Sequence, residues 1–205
     1  MKQTYIIAYV ILLSGCGTQN GLSQALDREP RRSTTLLSSS EFLSRVRLFE
    51  EGYLALNAFP EMGTQPGSGS GTFSGMLAFD YSGDDRGTAT SALDIQVDFG
   101  SGSVDGTASD FAFASVDSTA VVLSGSLAIS GELQDGRLIA DVHGALRGPT
   151  TGAYGELTGA GELQGSLRGL GTEPDGIVGT IDGAFSGSST LTIEAGAFFA
   201  DRQRP

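Results

Sequence analysis

The residues able to do chemistry in this chain are few and badly spaced for it. The single histidine, His143, shares the polar side of a strand-like stretch with Asp141 and Arg147. One imidazole gives one contact where a metal site needs several, so His143 reads as part of a solvated face, with a haem or metal ligand as the alternative. Asp94 and Asp98 share a face, but four residues along a strand separate them by roughly 13 Å. Paired glycosidase carboxylates stand about 5 to 9.5 Å apart, so these two read as surface charge. Gly159-x-Gly161 lacks the third glycine of a dinucleotide loop, Gln164 standing in its place, and it leads into a strand instead of a helix. There is no Gly-x-Ser-x-Gly elbow and no nucleophile with a base beside it. With one cysteine, Cys16, neither an internal disulfide nor a thiolate metal cage can form. The chain is read as non-enzymatic and without a cofactor.

Composition points to a presented surface. The 24 acidic and 12 basic residues leave a net charge of −12, and Lys2 is the only lysine. Residues 1–62 are balanced, so the negative charge belongs to the remainder. Nothing basic is offered to nucleic acid or to an anionic membrane surface. The 31 glycines and absence of tryptophan favour many short strands and turns.

Cys16 is explained by its position. Met1-Lys2 precedes an almost wholly apolar run, Tyr5 to Leu13. That run is far short of the roughly 20 residues of a membrane span, and it has the length of a signal-peptide core. Leu13-Ser14-Gly15-Cys16 follows at once and resembles the bacterial lipobox. The resemblance implies a signal peptide over 1–15 and a diacylated, palmitate-bearing Cys16 that becomes the new N-terminus. Two or more acyl chains, at about 0.8 kcal/mol per buried methylene, hold a protein on a membrane stably. Gly17 in place of an aspartate after the cysteine implies the outer membrane.

Residues 16–40 hold little apolar content and a mixed-charge cluster, and read as a flexible tether. Ser38 and Glu41 stand at capping-box spacing, and Phe42, Val46, Phe49, Tyr53 and Leu56 recur at helical steps. This predicts an amphipathic helix over 41–57 that lies on the following domain, closes one of its mouths or docks a partner. A glycine- and serine-rich linker occupies 58–70.

From 71 to 201 the period is two. Leu93, Ile95, Val97 and Phe99 alternate with Asp94, Gln96 and Asp98, and Gly100-Ser101-Gly102-Ser103 reverses the chain. The unit repeats to give eight strands, the last reading Leu191, Ile193, Ala195, Ala197 and Phe199 on one face. Short turns between eight strands predict an all-β fold, an eight-stranded antiparallel up-and-down β-barrel that leaves no open edge. Glycines on the apolar face, such as Gly165 and Gly179, make room beside large neighbours and predict a filled interior. Periodicity does not say which face points inward, so a small integral outer-membrane β-barrel is an alternative.

Val97-Asp98-Phe99-Gly100, with Gly102, Val104, Gly106 and Thr107, resembles the strand-turn-strand signature of the barrels in transferrin-binding protein B and factor H-binding protein. Gly165-Ser166-Leu167-Arg168-Gly169 with Gly179-Thr180, and Gly196-Ala197-Phe198-Phe199-Ala200, are similar to that family's later strands, although Leu167-Arg168 replaces an aromatic pair. The resemblance implies a surface lipoprotein whose loops meet a host protein, haem or an outer-membrane transporter. The competing class is a structural or assembly lipoprotein of the envelope. The strands offer small side chains outward, so the contacts are expected in charged loops: Asp84, Asp85 and Arg86 in one, Arg168, Glu173 and Asp175 in another.

Overall fold

A computed structural model describes residues 36–115, 120–149 and 154–204; Cys16, the leader and the first part of the tether lie outside them. The chain opens with a two-residue strand β1 (Leu36–Leu37) and a helix α1 (Ser39–Asn57). Eight long strands follow: β2 (Ser70–Gly83), β3 (Gly87–Asp98), β4 (Ser103–Ser115), β5 (Ala120–Gln134), β6 (Arg137–Arg147), β7 (Glu156–Arg168), β8 (Gly176–Gly187) and β9 (Leu191–Arg202). The expected tether therefore gives way to ordered elements at Leu36, because Leu36 and Leu37 pair antiparallel with Val121 and Ala120 at the start of β5.

All the long strands pair antiparallel with their sequence neighbours, and β2 pairs with β9. The sheet is thus a closed up-and-down barrel, as the turn spacing predicts. Its connections alternate between two ends. The β2–β3 end carries the turn at residues 84–86 and, by antiparallel pairing, the β4–β5, β6–β7 and β8–β9 connections. The β7–β8 end carries the loop at 169–175 and the β3–β4 and β5–β6 turns. Asp135 and Gly136 both take positive φ, 51° and 73°, the pattern of a two-residue hairpin turn matched to sheet twist.

The apolar face points inward. Phe73, Leu77, Phe79 and Tyr81 of β2 meet Leu93, Ile95 and Val97 of β3 and their counterparts around the wall in one buried cluster. Phe113 is the hub of one half of the interior, with ring centroids 5.3 Å from Tyr81, 5.4 Å from Tyr154, 5.7 Å from Phe185 and 5.8 Å from Phe79. In the other half, Phe198 lies where a Cβ on Gly165 or Gly179 would stand 2.8 or 2.6 Å from its ring. These glycines make the room that a filled interior needs. Outward positions carry Asp94, Asp105, Asp141, Glu162 and Asp182, which a lipid-facing band cannot bear. That overturns the integral-membrane alternative.

The last strand departs from simple alternation. Asp80 pairs with Ala195 but Tyr81 with Ile193, so Glu194 is an extra residue that shifts the phase. Leu191 and Ile193 face inward, and beyond the bulge Phe198 and Ala200 do so. Ala197 and Phe199 turn outward instead, and α1 covers them.

The helix begins two residues before its expected start because Ser38 is its N-cap. The Glu41 N–H donates to Ser38 Oγ (3.3 Å) and the Ser38 N–H donates to Glu41 Oε2 (2.8 Å), closing the capping box. The Ser38 hydroxyl, which donates to Glu41 Oε2 at 2.6 Å, and after it the Ser38 N–H hold the Glu41 carboxyl below its usual range. Its buried stripe is Phe42, Phe49 and Leu56. Phe42 packs with Ala112 and Ala120, and Phe49 and Leu56 pack with Val178, Ala197 and Phe199 on the outer wall. Of the readings open for this helix, lying on the barrel is the one observed. It runs from the β2–β3 end, where β1 pairs, to the β7–β8 end, where residues 60–62 join the rim.

Candidate functional site

The six loop residues singled out by charge divide between opposite ends of the barrel. They do not form one site.

At the β2–β3 end, Asp84 and Asp85 act as internal ties. The Thr190 N–H donates to Asp84 Oδ2 at 2.7 Å, fastening the β8–β9 turn. Asp85 Oδ1 accepts the Ser115 hydroxyl at 3.0 Å from the end of β4, and the Arg86 N–H at 2.7 Å. Asp85 Oδ2 accepts the hydroxyl of Tyr154 from the β6–β7 connection. Two adjacent carboxylates thus gather elements from all four connections at this end. Asp84 and Arg86 are exposed and Asp85 is half-buried.

Tyr154 is the residue that sequence reasoning missed. Its ring fills the mouth against Phe113, and the Tyr81 hydroxyl donates to Tyr154 Oη at 2.6 Å while Tyr154 donates to Asp85. A lone tyrosine among the small residues between Gly148 and Gly155 was the available signal. Burial, opposed by the bond to Tyr154, pushes the Tyr81 phenol up to about 12. Tyr154 is raised as well, first by burial and then by its bonds to Asp85 and Tyr81, which favour the phenol over the phenolate.

At the β7–β8 end, Arg168, Glu173 and Asp175 come together. Arg168 Nη1 donates to the Phe59 carbonyl (3.3 Å), and Nη2 pairs with Glu61 (3.1 Å). Its guanidinium binds the segment leaving α1 to the rim. Glu173 pairs with Arg202 (2.7 Å) and Asp175 with Arg204 (2.6 Å), tying the loop to the end of β9. The Asp175 N–H donates to the Arg168 carbonyl at 2.7 Å, closing the base of the loop. Leu170 is 78% exposed at its tip between two glycines. On the same end an open groove of about 730 Å³ runs between residues 64–65 and the turns at 100–103 and 131–135.

The remaining candidates lie on the wall. His143 is exposed, with Ala128 and Ala160 as its neighbours across the adjacent strands. Asp94 accepts the Ser74 hydroxyl at 2.6 Å. Asp98, expected to be plain surface charge, organises the β3–β4 turn instead: its Oδ1 accepts the Gly100 N–H at 2.8 Å and the Ser101 N–H at 3.0 Å. The Ser101 bond first, then that from Gly100, holds the carboxyl below its usual range. Gly159 and Gly161 are strand residues paired with Phe185 and Gly183, so they form no phosphate loop.

No family model matches the chain, and no curated protein matches it. Among solved structures it is similar to that of intact Ap-TbpB (N and C lobes), a transferrin-binding protein B, at 14% identity and a TM-score of 0.48. The match takes in 71% of this chain and 28% of that one, so the chain spans little more than a quarter of that protein's length.

Proposed function

We propose that this protein is a non-enzymatic lipoprotein, anchored through Cys16 to the outer membrane, that presents the β7–β8 end of its barrel to a protein partner. The filled interior carries this reading. Phe113 and its ring neighbours occupy one half and Phe198 the other, so a ligand as large as haem meets the molecule on its outside. The choice of end follows from the course of the chain. Among the described residues the chain first joins the barrel beside Ala120, at the β2–β3 end, where β1 pairs with the start of β5, and the opposite end is taken as the one presented. That end offers Leu170, the paired charges of Arg168, Glu173 and Asp175, and an open groove. An apolar tip ringed by charge has the make-up of an interface centre with a polar rim.

Two experiments test the proposal. Protease treatment of intact cells should cleave the barrel's loops; cleavage only after permeabilisation supports the envelope-assembly reading. Pull-down from the native setting should recover a partner whose capture falls when Leu170, Glu173 and Asp175 are replaced together by serine, with unchanged thermal stability. Equal capture by that variant rejects the site.

A further inference from the structure

We propose that the N-terminal strap, α1 with the segment to residue 69, is built to come off the barrel while the barrel stays folded. The first ground is topological. The wall is closed by the pairing of β2 with β9, from Phe73–Arg202 to Gly83–Leu191, and the strap contributes no strand to that closure. The strap is an addition to a barrel that is already complete.

The second ground is where the unsatisfied polar atoms lie. Among the described residues, four buried side-chain atoms have no hydrogen-bond partner: Gln65 Oε1, Thr90 Oγ1, Ser91 Oγ and Arg168 Nε. Three of them belong to the strap or its seat. Gln65 is in the strap. Arg168 grips the strap through Phe59 and Glu61. Thr90 lies in register between Ala78 and Ala112, residues that pack with the helix cluster on either side, and is 0% exposed. Each such atom forfeits its hydration when the strap docks and regains it when water enters. The fourth, Ser91 Oγ, lies in the barrel wall, away from the strap.

The third ground is the way the ends are held. Near its start α1 is held by Phe42, packed on Ala112 and Ala120, and by Arg45, whose guanidinium takes both the carbonyl (3.0 Å) and the carboxylate (2.9 Å) of Asp110. Asp110 sits at φ 53° in a bulge, out of register with β3 and β5. Beyond the helix the segment is fastened by Arg168 and by backbone bonds from the Met62 N–H to the Leu167 carbonyl (2.9 Å) and from the Gly169 N–H to the Pro60 carbonyl (3.2 Å). Between them Gly52 lies flat on Phe199, where an added Cβ would stand 2.2 Å from the ring. Two arginine clasps and a close-fitting middle describe a helix that leaves as a unit.

Release has a geometric consequence that rests on the proposed anchor at Cys16. With β1 and the strap docked, the chain joins the barrel at the β2–β3 end; with both released, it joins at the β7–β8 end. The 19 residues of α1 span about 28 Å as a helix and about 65 Å extended.

Hydrogen exchange by mass spectrometry on the full chain, where rates report opening equilibria, tests this directly. Amides of residues 42–57 should open at least 100-fold more often than those of β2, β3 and β7. Arg45→Met should raise α1 exchange about tenfold, and Thr90→Val should lower it about fivefold, with strand amides unchanged in both. Gly52→Leu should strip protection from α1 and leave the strands protected. One common opening constant for helix and strands, variants that move both together, or loss of strand protection in Gly52→Leu would each overturn the proposal. Such a result would leave the anchor itself standing, since Cys16→Ser fractionation tests that separately.

Discussion

Across the outer wall, Asp141 of β6, Glu162 of β7 and Asp182 of β8 stand directly opposite one another, so Glu162 has a like charge on each side. Directly opposed side chains have Cβ atoms about 4.5 to 5.5 Å apart, and each pair is worth about 0.2 to 1 kcal/mol, with the unfavourable sign for like charges. Replacing Glu162 with lysine converts two repulsions into two attractions. Taking about 0.4 kcal/mol for each repulsion removed and each attraction gained, as befits exposed and screened charges, gives a gain of about 1.6 kcal/mol. Glu162→Gln, which only removes the repulsions, should give about half. The hydrogen bond from Gln164 to Glu162 is lost with lysine, but the Gln164 amide can turn its oxygen toward the new ammonium group. Urea denaturation at low and at 0.5 M salt provides the assay: the lysine variant should have the higher midpoint, and its advantage should shrink in salt. A lysine variant no more stable than the parent, or an advantage indifferent to salt, would show that the three carboxylates do not feel one another and that the register argument fails.

Three further outcomes are expected. Phe99, buried and edge-on to Phe73 at 6.5 Å, should cost about 3 to 5 kcal/mol when replaced by alanine, read from the denaturant midpoint; a loss under 1 kcal/mol would contradict its burial. The raised phenols of Tyr81 and Tyr154 give stability that is whole below the unfolded pKa near 10 and is lost as pH climbs through about 12. Midpoints should therefore be level from pH 8 to about 10 and then fall, and Tyr154→Phe should flatten that fall. Cys16→Ser should move the protein from the membrane to the soluble fraction, and a variant that stays with the membrane would end the lipoprotein reading.

How much of this was legible depends on what each residue must satisfy. The alternation of Leu93, Ile95, Val97 and Phe99 fixes a face because one side of a barrel wall is dry and the other wet. The capping box at Ser38 and Glu41 was equally plain, since both partners lie within one turn. Phe198 and Phe199 were not readable in the same way. The Glu194 bulge shifts the phase just before them, and α1 makes the outer face of β9 as apolar as the inner one, so neither pattern nor composition tells the two rings apart.

The loops were the least legible part, for a related reason. A charged residue in a turn looks the same in sequence whether it waits for a partner or already has one. Asp84, Asp85 and Asp98 are spent on backbone N–H and hydroxyl groups of their own molecule. Arg168 is spent on the carbonyl of Phe59, 109 residues away. What separates such ties from recognition residues is the long-range partner, which strand order alone reveals: the β2–β3 turn meets the β8–β9 turn only because β2 closes on β9. Once that closure is known, Arg86 and Leu170 stand out as exposed loop residues whose side chains are not among these ties, one at each end. Arg86 stands at the β2–β3 end and Leu170 at the β7–β8 end, where the open groove also lies, which is why the partner is assigned to the second.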